Sequence, residues 1–232
     1  MLPEIGAVGQ EKLGEARITI IGAGGLGSPV SLYLCAAGVG HLRLIDDDTV
    51  SLSNLNRQIL HSEADIGRAK VDSARDRLTA LNSGIDLECL GLRLGEATLE
   101  RCLAGSHLII DCLDNFPARY LVNDFCFKHR LPFLYAGVRG WEGRLALLLP
   151  GITPCFRCLV PSAPDPEQLP VIGVTPGVIG SLVALEAIKF VLSIGTSLVG
   201  QLLIFDGLRQ LFRLISLEGD PHCPCCAKGV AP

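Results

Sequence analysis

Gly22, Gly24 and Gly27 stand in a G-x-G-x-x-G spacing, with Gly25 between them. Glycines so spaced let a backbone turn sharply and approach a phosphate, and the free N–H groups opening a following helix complete an anion site. Asp46 comes 24 residues after Gly22, where a dinucleotide fold places the acid that holds ribose hydroxyls. These features suit a nicotinamide enzyme as well as an ATP enzyme. The residues that follow separate the two. Asp48, Asn54, Arg57, Gln58 and Lys70 would set carboxylate, amide, guanidinium and ammonium groups beside the nucleotide. A departing pyrophosphate needs cations on several oxygens as charge builds up, and a hydride transfer does not. The plainer reading of Arg57 and Lys70, taken singly, is solvated surface charge. Asp114, in Asp-Cys-Leu-Asp-Asn over 111–115, suits Mg²⁺, since hard cations take carboxylate oxygens. It equally suits capping of the next helix near Asn115.

Cysteine supplies a second chemistry. Of ten cysteines, Cys35, Cys89, Cys102, Cys112 and Cys126 stand singly in apolar or helical surroundings and read as buried thiols. Cys155-Phe-Arg-Cys158 and Cys223-Pro-Cys-Cys226 form a paired C-x-x-C set, which predicts a tetrahedral zinc site. Cys223 and Cys226 keep the two-residue gap, so Cys225 is spare, and His222 is the lesser alternative ligand. Four thiolates leave no open position for water, which makes the zinc structural. It would tie the chain end to the start of a loop at 159. Residues 1–14 contain Glu4 and Glu11 and no apolar run, unlike an export signal, so a metal is expected rather than disulfides, and a cytoplasmic location with it.

The elements that must position these groups follow from periodicity. Arg17–Ile21 reads as a buried strand, Leu26–Ala37 as a helix, and His41–Ile45 as a second strand ending in Asp46, Asp47 and Asp48. Residues 1–16 form an amphipathic lead-in. Over 67–82, Val71, Ala74, Leu78 and Leu81 share a helical face opposite Asp72, Arg75 and Arg77. Strands are expected at Ile85–Leu90, Leu108–Asp111 and Pro132–Val138, with a helix over Asn115–His129. This alternation predicts an α/β, Rossmann-like, doubly wound and mainly parallel sheet. After 138 the pattern changes. Gly143–Leu149 follows as a strand without an intervening helix, prolines mark an extended loop over Ser162–Pro170, and Gly177–Ser193 is a long helix. Gln201–Asp206 and Arg209–Ser216 form a hairpin about Gly207-Leu208. The late strands should be antiparallel and extend the same sheet. A single domain over 1–232 is expected, with a nucleotide-binding part over 1–138 and a partner-binding part over 139–232 that holds the 159–175 loop and the paired cysteines.

Composition narrows the partners. The chain has 232 residues, is 49% hydrophobic and carries a net charge of −4, which argues against disorder and against nucleic acid as main partner. No uninterrupted apolar run reaches ~18 residues, so no membrane span is expected. Glu186 and Lys189 break the run after Gly177 and suit one wet face of a core helix.

Taken jointly, Gly-Ala-Gly-Gly-Leu-Gly (22–27), Asp-x-Asp-x-Val-x-x-Ser-Asn-Leu-x-Arg-Gln (46–58), Lys70, Cys-Leu-Asp-Asn (112–115), the paired C-x-x-C and Leu-Glu-Ala-Ile-Lys (185–189) resemble the MoeB/ThiF/HesA group, bacterial relatives of ubiquitin-activating enzymes. The resemblance runs from about Leu2 to the last cysteines. It implies ATP- and Mg²⁺-dependent adenylation of the C-terminal glycine of a small ubiquitin-like sulfur-carrier protein ending in Gly-Gly, and a homodimer. It assigns Gly22, Gly24, Gly25 and Gly27 to the nucleotide turn and Asp46 to the ribose. Asp48, Asn54, Arg57, Gln58, Lys70 and Asn115 go to the nucleotide and its phosphates, and Asp114 to Mg²⁺, with Arg57, Lys70 and Asp114 as the catalytic set.

Two departures from the group's pattern bear on function. The group carries an arginine-containing segment just before the position of Leu2 that reaches the neighbouring subunit's ATP. This chain begins after that point, which implies a shortened polypeptide or impaired activity. Some relatives also carry a crossover-loop cysteine that takes the activated carrier covalently. Residues 159–222 contain no cysteine and Pro166 stands near the expected place, so no thioester step on that loop is expected. The loop over 159–175 is instead expected to guide the carrier's tail. An alternative is a catalytically weak or inactive carrier-binding partner of the same fold.

Overall fold

The computed structural model describes residues 2–163 and 170–227. Its frame is one eight-stranded sheet in the order β3-β2-β1-β4-β5-β6-β7-β8. The strands are β1 (Arg17–Ile21), β2 (His41–Ile45), β3 (Asp86–Leu90), β4 (Leu108–Asp111), β5 (Phe133–Arg139), β6 (Glu142–Leu148), β7 (Gln201–Asp206) and β8 (Leu211–Ser216). β1 to β5 are mutually parallel, and β6, β7 and β8 add antiparallel pairs at one side. The sheet is the expected one, and it crosses position 138 without a break.

Two helical layers cover it. On one face lie α1 (Gly6–Glu15), α2 (Gly27–Ala36), α3 (Lys70–Leu81) and α7 (Val174–Leu192), through Leu13, Leu34, Leu78 and Val183. On the other lie α4 (Glu96–Leu103), α5 (Phe116–His129) and the four-residue α6 (Phe156–Leu159), through Leu103, Val122 and Phe156. β1 shows why the central strands read as apolar runs: Ile18 and Ile20 face the first layer and Ile21 the second. A strand covered on both sides has no wet face to mark with alternation. Its buried polar member, Thr19, shares a 2.7 Å hydrogen bond with Ser106.

The chain builds β1, β2 and β3 outward in one direction and then returns to lay β4 on the other side of β1. That reversal opens a crevice outside the carboxyl ends of β1 and β4, where parallel α/β sheets bind ligands.

Four sequence expectations need correction. α4 and α6 fall in stretches that carried no predicted element. Leu81, placed on the apolar face of α3, is exposed, because α3 ends there and its last turn overhangs the layer. Glu186 does not lie on a wet face. It is 3% exposed and accepts from Lys189 Nζ at 2.6 Å, Ser197 Oγ at 2.8 Å and the Leu198 N–H at 2.6 Å. The segment after α7 folds back over it. By length and apolarity α7 could span a membrane (19 residues, mean hydropathy 1.6), yet it is a core helix. A Cβ on its Gly180 would meet Pro29 Cγ at 2.4 Å and Leu26 O at 2.7 Å, so α7 and the start of α2 touch backbone to ring. Pro166 lies outside the described residues, as does most of the proline-rich part of loop 159–175.

Candidate active site and metal centre

The crevice is a cleft of about 1590 Å³, larger than the ~300–1,000 Å³ usual for one small ligand. Gly22, Gly24, Gly25, Asp46, Asp48, Arg57, Gln58, Lys70, Asp114 and Asn115 all line it. Gly27 and Asn54 are not among the lining residues.

Two of the glycines are there for the turn itself. Gly22 has φ +103°, and a Cβ on it would sit 2.7 Å from Cys112 O. A Cβ on Gly27 would sit 1.8 Å from Gly22 O. Gly27 thus closes the turn from behind and leaves Gly24 and Gly25 to face the cleft. Asp46 braces the same turn: its Oδ2 accepts the Ala23 N–H at 2.7 Å and its Oδ1 the Asp48 N–H at 2.9 Å. The other side of the Ala23 peptide is held by a residue that sequence reading missed. Buried His61 donates from Nε2 to Ala23 O at 3.0 Å, and its Nδ1 accepts from Ser73 Oγ at 2.8 Å. Burial lowers the His61 pKa, so the ring is held neutral, as this pattern requires. A lone histidine after a polar segment carries no sequence signal for that role.

Lys70 opens α3 and donates its backbone N–H to Asp48 O at 3.0 Å. Its side chain is 7% exposed, and Nζ lies 2.7 Å from Asp48 Oδ2, whose own side chain is 62% exposed. The hydrogen bond from Lys70 holds the Asp48 carboxyl below its usual range. Arg57 Nη1 donates to Ser53 O and to Asn56 Oδ1, both at 3.0 Å. Gln58 is 4% exposed, and its Oε1 is buried without a partner among the described residues. Asn54 acts through its carbonyl, which accepts from the N–H groups of Arg57 and Gln58 at 3.1 and 3.0 Å. It shapes the turn that aims both side chains and does not itself reach the cleft wall.

Beyond β4 the cap of α5 is Asn115, whose side chain accepts the Ala118 N–H at 3.0 Å. Asp114 is therefore not the cap. It is exposed, and its carboxylate accepts no hydrogen bond among the described residues. Beneath it lies an ion pair the motifs did not reveal: Arg119 Nε stands 3.2 Å from Asp111 Oδ2, with Asp111 fully buried and the Arg119 side chain 7% exposed. Arg119 also lies over the rings of Phe116 and Tyr135, 5.7 and 5.1 Å from their centroids.

The cysteines divide as expected, except that Cys89 is only half-buried. Burial pushes the Cys89 pKa up to about 11 and that of Cys112 higher still, so neither is a ready nucleophile. Cys155, Cys158, Cys223 and Cys226 bring four sulfurs within 4.8 Å of one another. Sγ–Sγ is 3.6 Å for Cys155–Cys223 and 3.4 Å for Cys158–Cys226. A tetrahedron with Zn–S near ~2.3 Å has edges near ~3.8 Å, so the donor set fits zinc. Cys225 is outside this set and accepts instead from Asn123 Nδ2 at 3.4 Å. The Asp220 N–H points at Cys158 Sγ from 3.5 Å, an outer-shell contact that suits a thiolate.

Comparison with known proteins agrees with this geometry. Residues 1–225 match the ThiF family. The SAMP-activating enzyme E1 of Haloferax volcanii is 39% identical over 235 residues, covering 99% of this chain and 87% of that protein. The sulfur carrier protein adenylyltransferase of Thermus thermophilus is 41% identical over 237 residues, 97% of this chain and 88% of that protein. Among solved structures, E. coli MccB with ATP superposes with a TM-score of 0.85 at 25% identity, covering 94% of this chain and 69% of that one. A sheet that reverses at β1/β4, a glycine turn facing basic side chains across the crevice, a four-thiol knuckle and a match running through residue 225 lead to one conclusion: the chain belongs to the ThiF family.

Proposed function

We propose that this adenylyltransferase activates the C-terminal glycine of a small ubiquitin-like sulfur-carrier protein ending in Gly-Gly, forming an acyl-adenylate and releasing pyrophosphate. The observation that carries the reading is the convergence of Arg57, Lys70 and Asp114 on one cleft with the glycine turn. Relatives named for SAMP activation and for sulfur-carrier adenylylation support the substrate class.

The chemistry asks little of side-chain acids or bases. The carrier's terminal carboxylate is already ionised at neutral pH. Its oxygen attacks the α-phosphorus, a new P–O bond forms, the α–β bridging bond breaks, and the electron pair leaves on pyrophosphate. The protein's share is alignment and charge neutralisation. Asp46 sits where ribose hydroxyls are held. In this reading Lys70 and Arg57, which line the cleft, serve the phosphates. Lys70 reaches them from a buried stem, and its partner Asp48 keeps it oriented. The orphaned Oε1 of Gln58 is a buried acceptor that a bound nucleotide, or water carried with it, would satisfy. Mg²⁺ fits the free carboxylate of Asp114; when bound it spreads the charge of the triphosphate oxygens. Zn²⁺ fits the four thiols and would be structural, with no open position.

Residues 159–163 and 170–175 contain no cysteine, and no thioester on this loop enters the proposal. A homodimer belongs to it: Leu185, Phe212 and Leu214 are 54%, 53% and 58% exposed on the side of the sheet that carries α7, apolar area that suits a second copy. A cytoplasmic setting also belongs to it, since a four-thiol zinc site needs reduced cysteines. The test is ATP–pyrophosphate exchange with purified Gly-Gly-ending carriers. Exchange with one carrier is expected; no exchange with any, while ATP still binds, would turn the reading towards a carrier-binding partner.

A further inference from the structure

Asp114 is exposed and holds no hydrogen bond of its own, yet a group that meets a metal must be fixed to within a fraction of an ångström. What fixes it is one residue back. The Leu113 N–H donates to Asp111 Oδ1 at 2.9 Å, and Leu113 O accepts from Arg119 Nη2. The same Nη2 donates to Ala136 O on β5 at 2.8 Å. Asp111 and Arg119 are themselves joined, Oδ2 to Nε at 3.2 Å. Both polar groups of Leu113 are therefore gripped by a single buried ion pair, anchored to β4, α5 and β5 at once.

The pair is costly to build. Both charges are out of water, and neither Asp111 Oδ2 nor Arg119 Nε has a hydrogen bond of good geometry among the described residues. Well-packed apolar residues often serve stability as well as, or better than, a buried ion pair. A pair retained at the floor of the cleft, one residue from Asp114, points to placement rather than stability.

We propose that the Asp111–Arg119 pair is the positioning device for Asp114, setting its carboxylate where it meets Mg²⁺ on the nucleotide. The inference rests on the reading of Asp114 given above. Arg119 acts through Leu113 and is a positioning residue, not a catalytic one. Arginine is specified here because its fork reaches the Leu113 and Ala136 carbonyls while Nε faces Asp111. A lysine would keep the charge but could not hold all three.

The test is calorimetric titration of ATP into the purified full chain, zinc content verified, with and without Mg²⁺. The ratio of the two affinities is the metal-dependent gain. The variants are Arg119→Lys, which keeps a cation opposite Asp111, and the double substitution Asp111→Asn with Arg119→Gln, which removes both charges and strands neither. Loss of an outer-shell support typically weakens a metal site by about 10–100-fold. The gain should accordingly fall by at least about tenfold in both variants, with metal-free ATP affinity held within about twofold. A fold-only role predicts the opposite for Arg119→Lys, in which the buried carboxylate stays compensated. A wild-type gain in either folded variant overturns the inference. If the wild-type chain itself shows no metal-dependent gain, or if Asp114→Asn keeps it, the reading of Asp114 fails, and that result is separable from failure of the clamp.

Discussion

Lys70 is a residue at which a part in the fold and the proposed part in the reaction can be separated. Its side chain is buried, but the carboxylate it meets among the described residues, on Asp48, is 62% exposed. Removing Lys70 leaves no stranded buried charge, because water can take over at Asp48. Lys70→Ala is therefore expected to cost about 2 kcal/mol, the packing of its buried stem, and to leave the chain folded while abolishing pyrophosphate exchange. A melting curve beside an exchange assay separates the two, and unchanged exchange would refute the phosphate role. Gly27 is the contrary case. It does not line the cleft, but a Cβ there would collide with Gly22 O at 1.8 Å. Gly27→Ala should cost about 1–3 kcal/mol, the usual range for overpacking, and loosen ATP binding with it. Denaturant titration measures the first and calorimetry the second.

His61 carries a pH signature. Its folded pKa lies below the free value of ~6.5. The folded chain thus binds fewer protons than the unfolded chain once pH falls below that value. Stability from this residue is complete above about 6.5 and is lost as pH descends towards the folded pKa. Comparing the pH dependence of stability in wild type and His61→Asn should show a shallower slope in the variant as pH falls below about 6.5. Parallel slopes would contradict the neutral-ring assignment.

At the scale of elements, the succession of strands and helices and the glycine turn were legible because their signals are local. An isoleucine-rich strand and a glycine turn announce β1 and the start of α2 in eleven consecutive letters, 17–27. The basic groups follow within one further crossover. α4 was legible in principle, since Leu99, Cys102 and Leu103 have helical spacing and are buried, but eight residues give a weak period. α6 has four residues and none. The Asp111–Arg119 grip and the burial of Glu186 were not legible at all. Each depends on a partner brought in by tertiary structure, Ala136 on β5 for one and the 197–198 backbone for the other. The knuckle is the opposite extreme, a spacing so specific that its four members could be named before the fold. Cys158→Ser should lower zinc content and melting temperature together, with any loss of activity following unfolding rather than preceding it. Metal analysis beside calorimetric melting would decide, and full zinc with full stability would exclude the site.

At the scale of the molecule, the sheet has two economies. Its parallel half is closed by helices on both faces and supplies the crevice. Its antiparallel half ends in β8, where Leu211, Phe212, Leu214 and Ile215 are each about half exposed. Sedimentation of the purified chain should show a dimer, and Leu185→Glu with Phe212→Glu should shift it towards monomer if the α7 side is the contact. A monomer at micromolar concentration in the wild type would leave that surface to another partner.

The knuckle has a further consequence for biogenesis. Its two thiol pairs are separated by the whole of α7, β7 and β8. A growing polypeptide cannot gather the fourth sulfur until Cys226 has left the ribosome, by which time the last three major elements are already in solution. In the zinc reading, metal capture would be a late event in synthesis, and a chain interrupted anywhere before that residue would lack the fourth thiol of the clasp.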